Sequence, residues 1–244
     1  MASLYLVPTP IGNLEDMTYR AVRVLRETRA LACEDTRRTR VVLEHYGIPK
    51  PKTVFSYHEH NEHAAGKRIL GLLDAGVAVA VCTNAGYPGV SDPGFRIAAM
   101  AIEAGHEVIS LPGASAVHVA VMQSGLPSSS YVFKGFPPRK TGARRKFLAM
   151  EAELPHTIVL YESPYRIGAL LADALEELGN RRAAVCIELT KMFEDVRRGY
   201  LADLAEAFSK AKVKGEITVV IAGNHPKFLG PDELDDTEED GSAR

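Results

Sequence analysis

Short apolar runs alternate with stretches of helical periodicity through the first half of the chain. The runs predict strands at 4–7, 30–33, 54–57, 77–82 and 108–111. Helical spacing of apolar residues predicts a helix after each strand, at 18–28, 37–46, 61–75, 93–104 and 115–124. The run at 77–82 is continuously apolar, as in a strand buried on both faces. This alternation is typical of a parallel sheet with helices on both faces.

The second half predicts a mixed sheet with helices. Strands are predicted at 131–134, 157–161, 184–188 and 217–222, and helices at 144–151, 166–178 and 201–211. The stretch LPSSS at 126–130 is typical of a linker. We therefore expect an α/β protein with two α/β domains, at 1–127 and 128–226, followed by an acidic disordered tail at 227–244.

Composition separates the tail from the body. The 244 residues carry a net charge of −2, with 46% hydrophobic and 25% charged residues, the balance of an ordinary globular protein. The last fourteen residues hold seven acidic residues and one arginine. The rest of the chain is therefore mildly basic, and a patch within it could face phosphate.

The three cysteines argue against a zinc site. Cys33, Cys82 and Cys186 each lie in an apolar run, and the chain has no CxxC pair. Buried free thiols in a reducing compartment are expected, with no metal. No apolar run approaches about 20 residues, and the first ten residues lack the pattern of a signal peptide. We expect a cytoplasmic protein that does not bind a membrane.

Ligands of α/β sheets bind beyond the carboxyl ends of the strands, so the loops that follow the strands hold the candidate chemistry. The first loop, PTPIGN, is not GxGxxG, which disfavours a nicotinamide oxidoreductase. The second, EDTRR, places two carboxylates and two arginines together, although Asp35 or Thr36 could simply cap a helix. The third, HEHNEH, is interpreted as solvated residues or polar substrate contacts rather than a metal site.

The fourth and fifth loops fit close contact with a ligand. TNAGYPGVSDPG is rich in glycine and proline, and its backbone groups could grip an uncharged adenine and ribose. Asp92 in this loop could be the N-cap of the next helix. LPGASA has small residues that let a ligand approach the backbone.

Seven motifs in this order resemble one family. VPTPIGNL, EDTRRT, NAGYPGVSDPG, LPGASA, YESPYR, ELTK and GEITVVI are similar to the tetrapyrrole-methylase-type S-adenosylmethionine methyltransferases. Within that class they resemble enzymes that methylate the ribose 2′-hydroxyl of 16S ribosomal RNA. The resemblance runs from Leu4 to Gly223. It implies a homodimer, a cofactor held in the cleft between two domains, and a decoding-region cytidine of the small ribosomal subunit as substrate.

The resemblance also implies the cofactor site. The residues implied in S-adenosylmethionine binding are Pro10, Gly12, Gly86, Tyr87, Pro88, Asp92, Ser115, Ala116, Tyr161 and Leu189. One loop departs from the family pattern. The expected S-D-A-G-T-P is here Thr83-Asn84-Ala85-Gly86-Tyr87-Pro88, so an amide replaces a carboxylate and a tyrosine replaces a threonine.

Methyl transfer to a ribose hydroxyl calls for a base or a cationic neighbour, because the hydroxyl is a poor nucleophile at neutral pH. The candidates are Glu34, Asp35, Glu188 and Lys191. The lysine could act as a base only if its pKa is lowered. The sequence does not choose among these four.

Cations for RNA phosphates are concentrated at 139–146, where five of eight residues are basic. The preceding GFPP should project this segment as a loop, although a solubilising charged face is the alternative. The RNA-binding candidates are Arg37, Arg38, Arg139, Lys140, Arg144, Arg145, Lys146 and Arg166. An unpaired base could stack on Tyr87 or Phe136.

Two other functions remain open. A tetrapyrrole C-methyltransferase of the same class would need a large apolar cleft with few arginines. A non-catalytic ribosome-binding factor with this fold would be consistent with the departure at Asn84.

Overall fold

The first unit of the computed structural model is built on a parallel sheet of five strands. The structure describes residues 2–230, and the chain divides into two units between Ser115 and Ala116. The first-unit strands are β1 (Ser3–Leu6), β2 (Ala30–Cys33), β3 (Thr53–Ser56), β4 (Val79–Cys82) and β5 (Glu107–Ser110). Their order is β3-β2-β4-β1-β5, and all neighbours are parallel. The carboxyl ends therefore meet at one edge, which we call the carboxyl edge.

Helices cover both faces of this sheet, as predicted. They are α1 (Tyr19–Glu27), α2 (Thr36–His45), α3 (Glu62–Asp74) and α4 (Phe95–Glu103). Successive residues of a strand point to opposite faces. Accordingly, Leu31 of β2 packs with Leu25 of α1 and Leu43 of α2, whereas Ala32 packs with Ile69 of α3. The apolar strands β2 and β4 are fully buried because helices lie on each side of them.

Capping differs between α2 and α4. Asp35 occupies the N-cap of α2, where its Oδ1 accepts from the backbone N–H of Arg37 at 2.8 Å. The prediction that Asp92 caps α4 is wrong. That helix begins at Phe95, and its N-cap position is taken by Gly94, which has no side chain to accept a hydrogen bond.

The second unit contains a mixed sheet, as predicted. Its strands are β6 (Tyr131–Phe133), β7 (Thr157–Glu162), β8 (Arg182–Ile187), β9 (Asp195–Tyr200) and β10 (Ile217–Ile221). Their order is β6-β7-β10-β8-β9, with β6 and β7 parallel and the other pairs antiparallel. Strand β9 was not predicted from the sequence.

The α-helices in the described part of the second unit are α5 (Ala116–Ser124), α6 (Thr141–Ala149), α7 (Ile167–Leu178) and α8 (Leu201–Ser209). Leu148, Leu170 and Leu204, from the last three, share one core with the sheet. Helix α5 packs on β8 and β10 and buries Val117 and Val121. The division after Ser115 therefore differs from the predicted boundary at residue 127 by this helix, which follows the β-then-α alternation in sequence but packs with the second sheet.

The predicted tail at 227–244 lies largely outside the described residues, since residues 231–244 are not part of them. Residues 227–230 are held on the second unit. Leu229 bridges to Arg181, and the backbone N–H of Gly230 donates to the carbonyl of Asn180 at 2.6 Å. Between residues 2 and 230, no helix combines the length and apolar character needed to cross a bilayer.

Candidate functional site

Three loops meet at the carboxyl edge of the first unit. They follow β1, β4 and β5, cover residues 8–13, 83–94 and 111–115, and are called the loop shelf here. Thr9 and Gly86 exchange two backbone hydrogen bonds, of 3.0 and 2.9 Å, which tie the first loop to the second. The hydroxyl of Tyr87 accepts from the backbone N–H of Gly113 at 2.9 Å, which ties the second loop to the third.

Two glycines allow this close approach. Gly86 has φ +75°, and a Cβ there would lie 3.4 Å from Cγ2 of Ile11. A Cβ on Gly113 would lie 2.7 Å from Cβ of Pro8. Any side chain at position 113 would therefore push the first and third loops apart. The shelf is therefore fixed by the backbone hydrogen bonds between Thr9 and Gly86 and by the contact of Tyr87 with Gly113.

Asn84 connects the shelf to the EDTRR loop, which follows β2. Its backbone N–H donates to Oε2 of Glu34 at 3.1 Å. Its side-chain Oδ1 is buried and has no hydrogen-bond partner among the described residues. A buried acceptor without a partner is costly unless a ligand supplies a donor. The amide that departs from the family pattern thus fits a ligand that carries a hydroxyl or amine at this point.

The Asp35 side chain caps α2 and forms an ion pair with Arg37. Hydrogen bonds from the side chain and the backbone N–H of Arg37 lower the pKa of the Asp35 carboxyl. Arg37 and Arg38 are exposed on the first turn of α2. The structure thus brings Glu34, Asp35 and Arg37 to the carboxyl edge, but it gives Asp35 a capping contact that the sequence offered only as an alternative.

The remaining cofactor candidates of the first unit follow the same loops. Pro10 and Pro88 are buried, Gly12 is exposed, and Asp92 and Ser115 are half-buried. Asp92 lies in the shelf loop after β4, before the start of α4.

A second cluster of candidates lies in the second unit, around Glu188. Lys191 Nζ donates to Oε1 of Glu188 at 2.7 Å and to Oε2 of Glu216 at 2.9 Å. The backbone N–H of Glu216 also donates to Oε1 of Glu188, at 2.8 Å. Glu188 and Thr190 have φ of +51° and +66°, the left-handed region that costs a non-glycine residue conformational energy. Leu189 between them is buried.

These contacts fix the charges of the cluster. Burial raises the pKa of Glu188, but the hydrogen bonds from Lys191 and Glu216 outweigh it, so this pKa is lowered overall. Burial lowers the pKa of Lys191, but its two carboxylate partners raise it more. A lysine with a raised pKa is protonated at neutral pH. The contacts of Lys191 therefore do not provide the lowered pKa that a lysine base would need.

Tyr161 is the residue before the last of β7 and belongs to an aromatic group. Its ring centroid is 4.8 Å from that of Phe133 and 5.5 Å from that of Phe136. Phe136 remains 57% exposed, so one face of the group is accessible to solvent. Ala116, the last cofactor candidate of the motif LPGASA, begins α5.

The basic segment at 139–146 is not the projecting loop that the sequence predicted. From Thr141 onward it forms the start of α6. Arg144 is buried, and its Nε and Nη2 atoms each lie 2.6 Å from Oδ2 of Asp173. The prediction that Arg144 binds RNA is therefore wrong, because this guanidinium is enclosed and neutralised inside the unit.

Two further arginines are engaged within the second unit. Arg145 forms ion pairs with Glu176 and Glu177. Arg166 lies 2.5 Å from the buried carboxylate of Glu162 and donates to the carbonyl of Pro137 at 3.4 Å. Among the RNA-binding candidates of the second unit, those that are exposed are Arg139, Lys140 and Lys146.

Sequence reasoning missed several of these partners. Glu162 and Glu216 lie within the motifs YESPYR and GEITVVI, which were quoted without a role for either carboxylate. Both pair with a cation from a sequence-predicted site. Within residues 2–230, His, Cys, Asp and Glu side chains do not gather in groups of three or more suited to a metal ion.

The seven motifs quoted from the sequence lie in two units. The first is a parallel α/β unit that carries the loop shelf, and the second is a mixed α/β unit. The family model for Tetrapyrrole (Corrin/Porphyrin) Methylases matches residues 3–205. The chain belongs to this family.

Two curated relatives are both named Ribosomal RNA small subunit methyltransferase I. The protein of Halalkalibacterium halodurans is 43% identical over 95% of this chain and 79% of its own length. The protein of Mesorhizobium japonicum is 44% identical over 96% of this chain and 79% of its own length. The fold is shared with solved structures, among them a Thermus thermophilus uroporphyrin-III C-methyltransferase complexed with S-adenosylhomocysteine. That protein has a TM-score of 0.61 and 19% identity, over 91% of this chain and 97% of that one.

Proposed function

We propose that this protein transfers a methyl group from S-adenosylmethionine to the ribose 2′-hydroxyl of a decoding-region cytidine in 16S rRNA of the small ribosomal subunit. The observation that carries the proposal is the match along nearly the whole chain to relatives named as small-subunit rRNA methyltransferases, at 43% and 44% identity. The proposal includes the homodimer implied by the family, which light scattering on the purified protein would test as twice the mass of one chain.

The loop shelf is the proposed cofactor site in the first unit. S-adenosylmethionine would supply an electrophilic methyl group there. Gly86, Tyr87 and Gly113 hold the loops at fixed separation, and the Oδ1 of Asn84 offers an unused acceptor. The proposed contacts from the same unit are Pro10, Gly12, Pro88, Asp92 and Ser115, and those from the second unit are Ala116, Tyr161 and Leu189.

Glu34 is the proposed general base. It is the carboxylate that a single backbone N–H, that of Asn84, anchors at the shelf. By contrast, Asp35 is committed to its cap, Lys191 is protonated, and Glu188 is bound by both Lys191 and Glu216. A positioned carboxylate that accepts the hydroxyl proton contributes about 10²- to 10⁴-fold to such a reaction. Alignment of the acceptor oxygen with the methyl group would supply much of the remaining acceleration.

Exposed cations would bind the RNA backbone. These are Arg37 and Arg38 of the first unit and Arg139, Lys140 and Lys146 of the second. Arg145 and Arg166 would act mainly by holding α6 and the loop at Pro137 in place, because both are paired internally. Binding through phosphates should weaken as the salt concentration rises.

A tetrapyrrole is the second candidate acceptor, because the solved structures that share this fold include an enzyme named for a uroporphyrin substrate. Labelled S-adenosylmethionine should be offered separately with unmethylated 30S subunits and with uroporphyrinogen III. We expect label only in the RNA. Label in the tetrapyrrole would overturn the rRNA proposal. Cofactor binding with no transfer to either acceptor would favour a non-catalytic ribosome-binding factor.

The role of Glu34 has its own test. Glu34→Gln keeps an oxygen for the N–H of Asn84 but removes the base, so kcat should fall about 10²-fold or more while cofactor affinity stays within about twofold. Glu27→Gln on the exposed face of α1 is the matched control and should leave kcat unchanged. Wild-type turnover in Glu34→Gln would exclude this carboxylate as the base.

A further inference from the structure

A groove of about 740 Å³ runs along α2 on the surface of the first unit. It lies between this helix and β3, the strand at one side of the sheet. Its floor is apolar, with Leu43 and Ile48 almost fully buried and Val54 half-buried. Its rim holds three cations, Arg37, Arg40 and Lys50, and one carboxylate, Glu44, which pairs with Arg40. An apolar floor below a cationic rim fits a ligand that combines a flat apolar group with an anion.

The groove starts beside the proposed catalytic loop. Helix α2 begins at Thr36, directly after Glu34 and Asp35 at the carboxyl edge. Its ten residues extend for about 15 Å. Lys50 precedes the first residue of β3 and so lies toward the opposite edge of the parallel sheet. The three cations are therefore distributed from the carboxyl edge toward the opposite edge of the sheet.

The rim cations are available to an incoming anion. Arg37 lies 3.1 Å from Asp35 and Arg40 lies 3.0 Å from Glu44, but the two arginine side chains are 90% and 75% exposed. Exposed ion pairs of this kind contribute little and exchange readily for another anion. Lys50 lies between Pro49 and Pro51, which restrict the backbone that presents it.

We infer that this groove binds single-stranded RNA next to the target nucleotide, with phosphates on the cationic rim and a base or ribose over the apolar floor. The inference rests on the proposed function, because RNA is the substrate assumed there. Cations beside an apolar floor match the charged phosphates and the apolar base faces of a nucleic-acid strand. An acidic peptide would pair with the cations of the rim but would not use the apolar floor.

The first experiment measures RNA binding by the full chain. A fluorescein-labelled single-stranded RNA decamer is titrated by anisotropy between about 50 and about 200 mM salt. Lys50→Glu should weaken binding about tenfold and reduce the slope of log K against log salt by about one. Lys67→Glu is the matched control, since Lys67 is exposed on α3, which covers the other face of the sheet. Equal effects of the two variants, or none from Lys50→Glu, would overturn the inference.

A second variant tests the apolar floor. Val54→Thr keeps the shape of the side chain and its place in the strand. It replaces one methyl group of the apolar floor with a hydroxyl. RNA binding should weaken by a few-fold while far-UV circular dichroism stays unchanged. An oligoglutamate peptide should compete poorly. A peptide that bound in a manner dependent on Lys50, while RNA did not, would overturn the inference in favour of an acidic protein partner.

Kinetics separate this inference from the proposed function. With 30S subunits as acceptor, Lys50→Glu should raise KM for the RNA about tenfold and leave kcat and cofactor affinity unchanged. A wild-type KM would remove the groove from the RNA path while the methyltransferase proposal stood. Binding of the decamer that depends on Lys50, without any methyl transfer by the wild-type chain, would retain the groove and overturn the proposed function.

Discussion

The buried ion pair between Arg144 and Asp173 makes a sharp prediction about stability. The Arg144 side chain is 5% exposed and that of Asp173 is 11% exposed. Arg144→Leu would leave the Asp173 carboxylate enclosed without its cation, and the carbonyl of Arg139 would lose a donor at 3.3 Å. Breaking a buried pair in this way costs about 3–5 kcal/mol.

Urea unfolding followed by circular dichroism measures this cost. For a unit of this size the denaturant dependence is about 1–3 kcal/mol per molar urea, so the midpoint should fall by roughly 2 M. The matched control is Lys146→Leu, which removes an exposed cation of the same helix and should change stability by no more than about 0.5 kcal/mol.

A double variant tests the reasoning behind the magnitude. Replacing both members of a buried pair by apolar residues is often close to neutral, because no charge is left unpaired. Arg144→Leu with Asp173→Leu should therefore recover most of the stability lost in Arg144→Leu alone. An Arg144→Leu protein that unfolded at the wild-type midpoint but bound RNA more weakly would refute the structural role and restore Arg144 to the RNA surface.

Three further outcomes are expected. Tyr87→Phe should weaken cofactor binding several-fold in calorimetry, because the N–H of Gly113 loses its acceptor; unchanged affinity would remove this tie from the site. Glu188 has a lowered pKa, so its stabilising effect is present above the unfolded pKa of about 4.3 and is lost as the pH falls through the folded value. The stability difference between wild type and Glu188→Gln should therefore shrink in acid, and a constant difference would contradict the assigned contacts. Burial raises the pKa of Cys186 to about 12, so this thiol should react with a disulfide reagent only after denaturation; rapid reaction of the native protein would show that it is accessible.

Hydrophobic periodicity predicted most of the fold. Each predicted strand and helix is present, with its ends shifted by no more than three residues. Strand β9 was missed because its sequence, DVRRGY, is polar and lacks an alternating pattern. It lies at the end of the sheet order and pairs only with β8 among the described strands. An edge strand needs little apolar surface, so its sequence carries a weak signal.

The candidate site was predictable as a set of loops but not as a set of contacts. Glu34 and Gly86 follow strands that the pattern located, and parallel pairing brings their loops to one edge. Burial of Arg144 could not be inferred, because a run of cations predicts an exposed face and its partner Asp173 is 29 residues away. The charge of Lys191 likewise depends on Glu216, which is distant in sequence.

The central claim is that the chain methylates a ribose hydroxyl of 16S rRNA, and one measurement tests it most directly. Unmethylated 30S subunits are incubated with the protein and labelled S-adenosylmethionine, and the RNA is digested and analysed by mass spectrometry. We expect one 2′-O-methylcytidine in the decoding region, formed about 10²-fold more slowly in reactions with Glu34→Gln. A methyl group on a base, on a nucleotide outside that region or on no nucleotide at all would contradict the account.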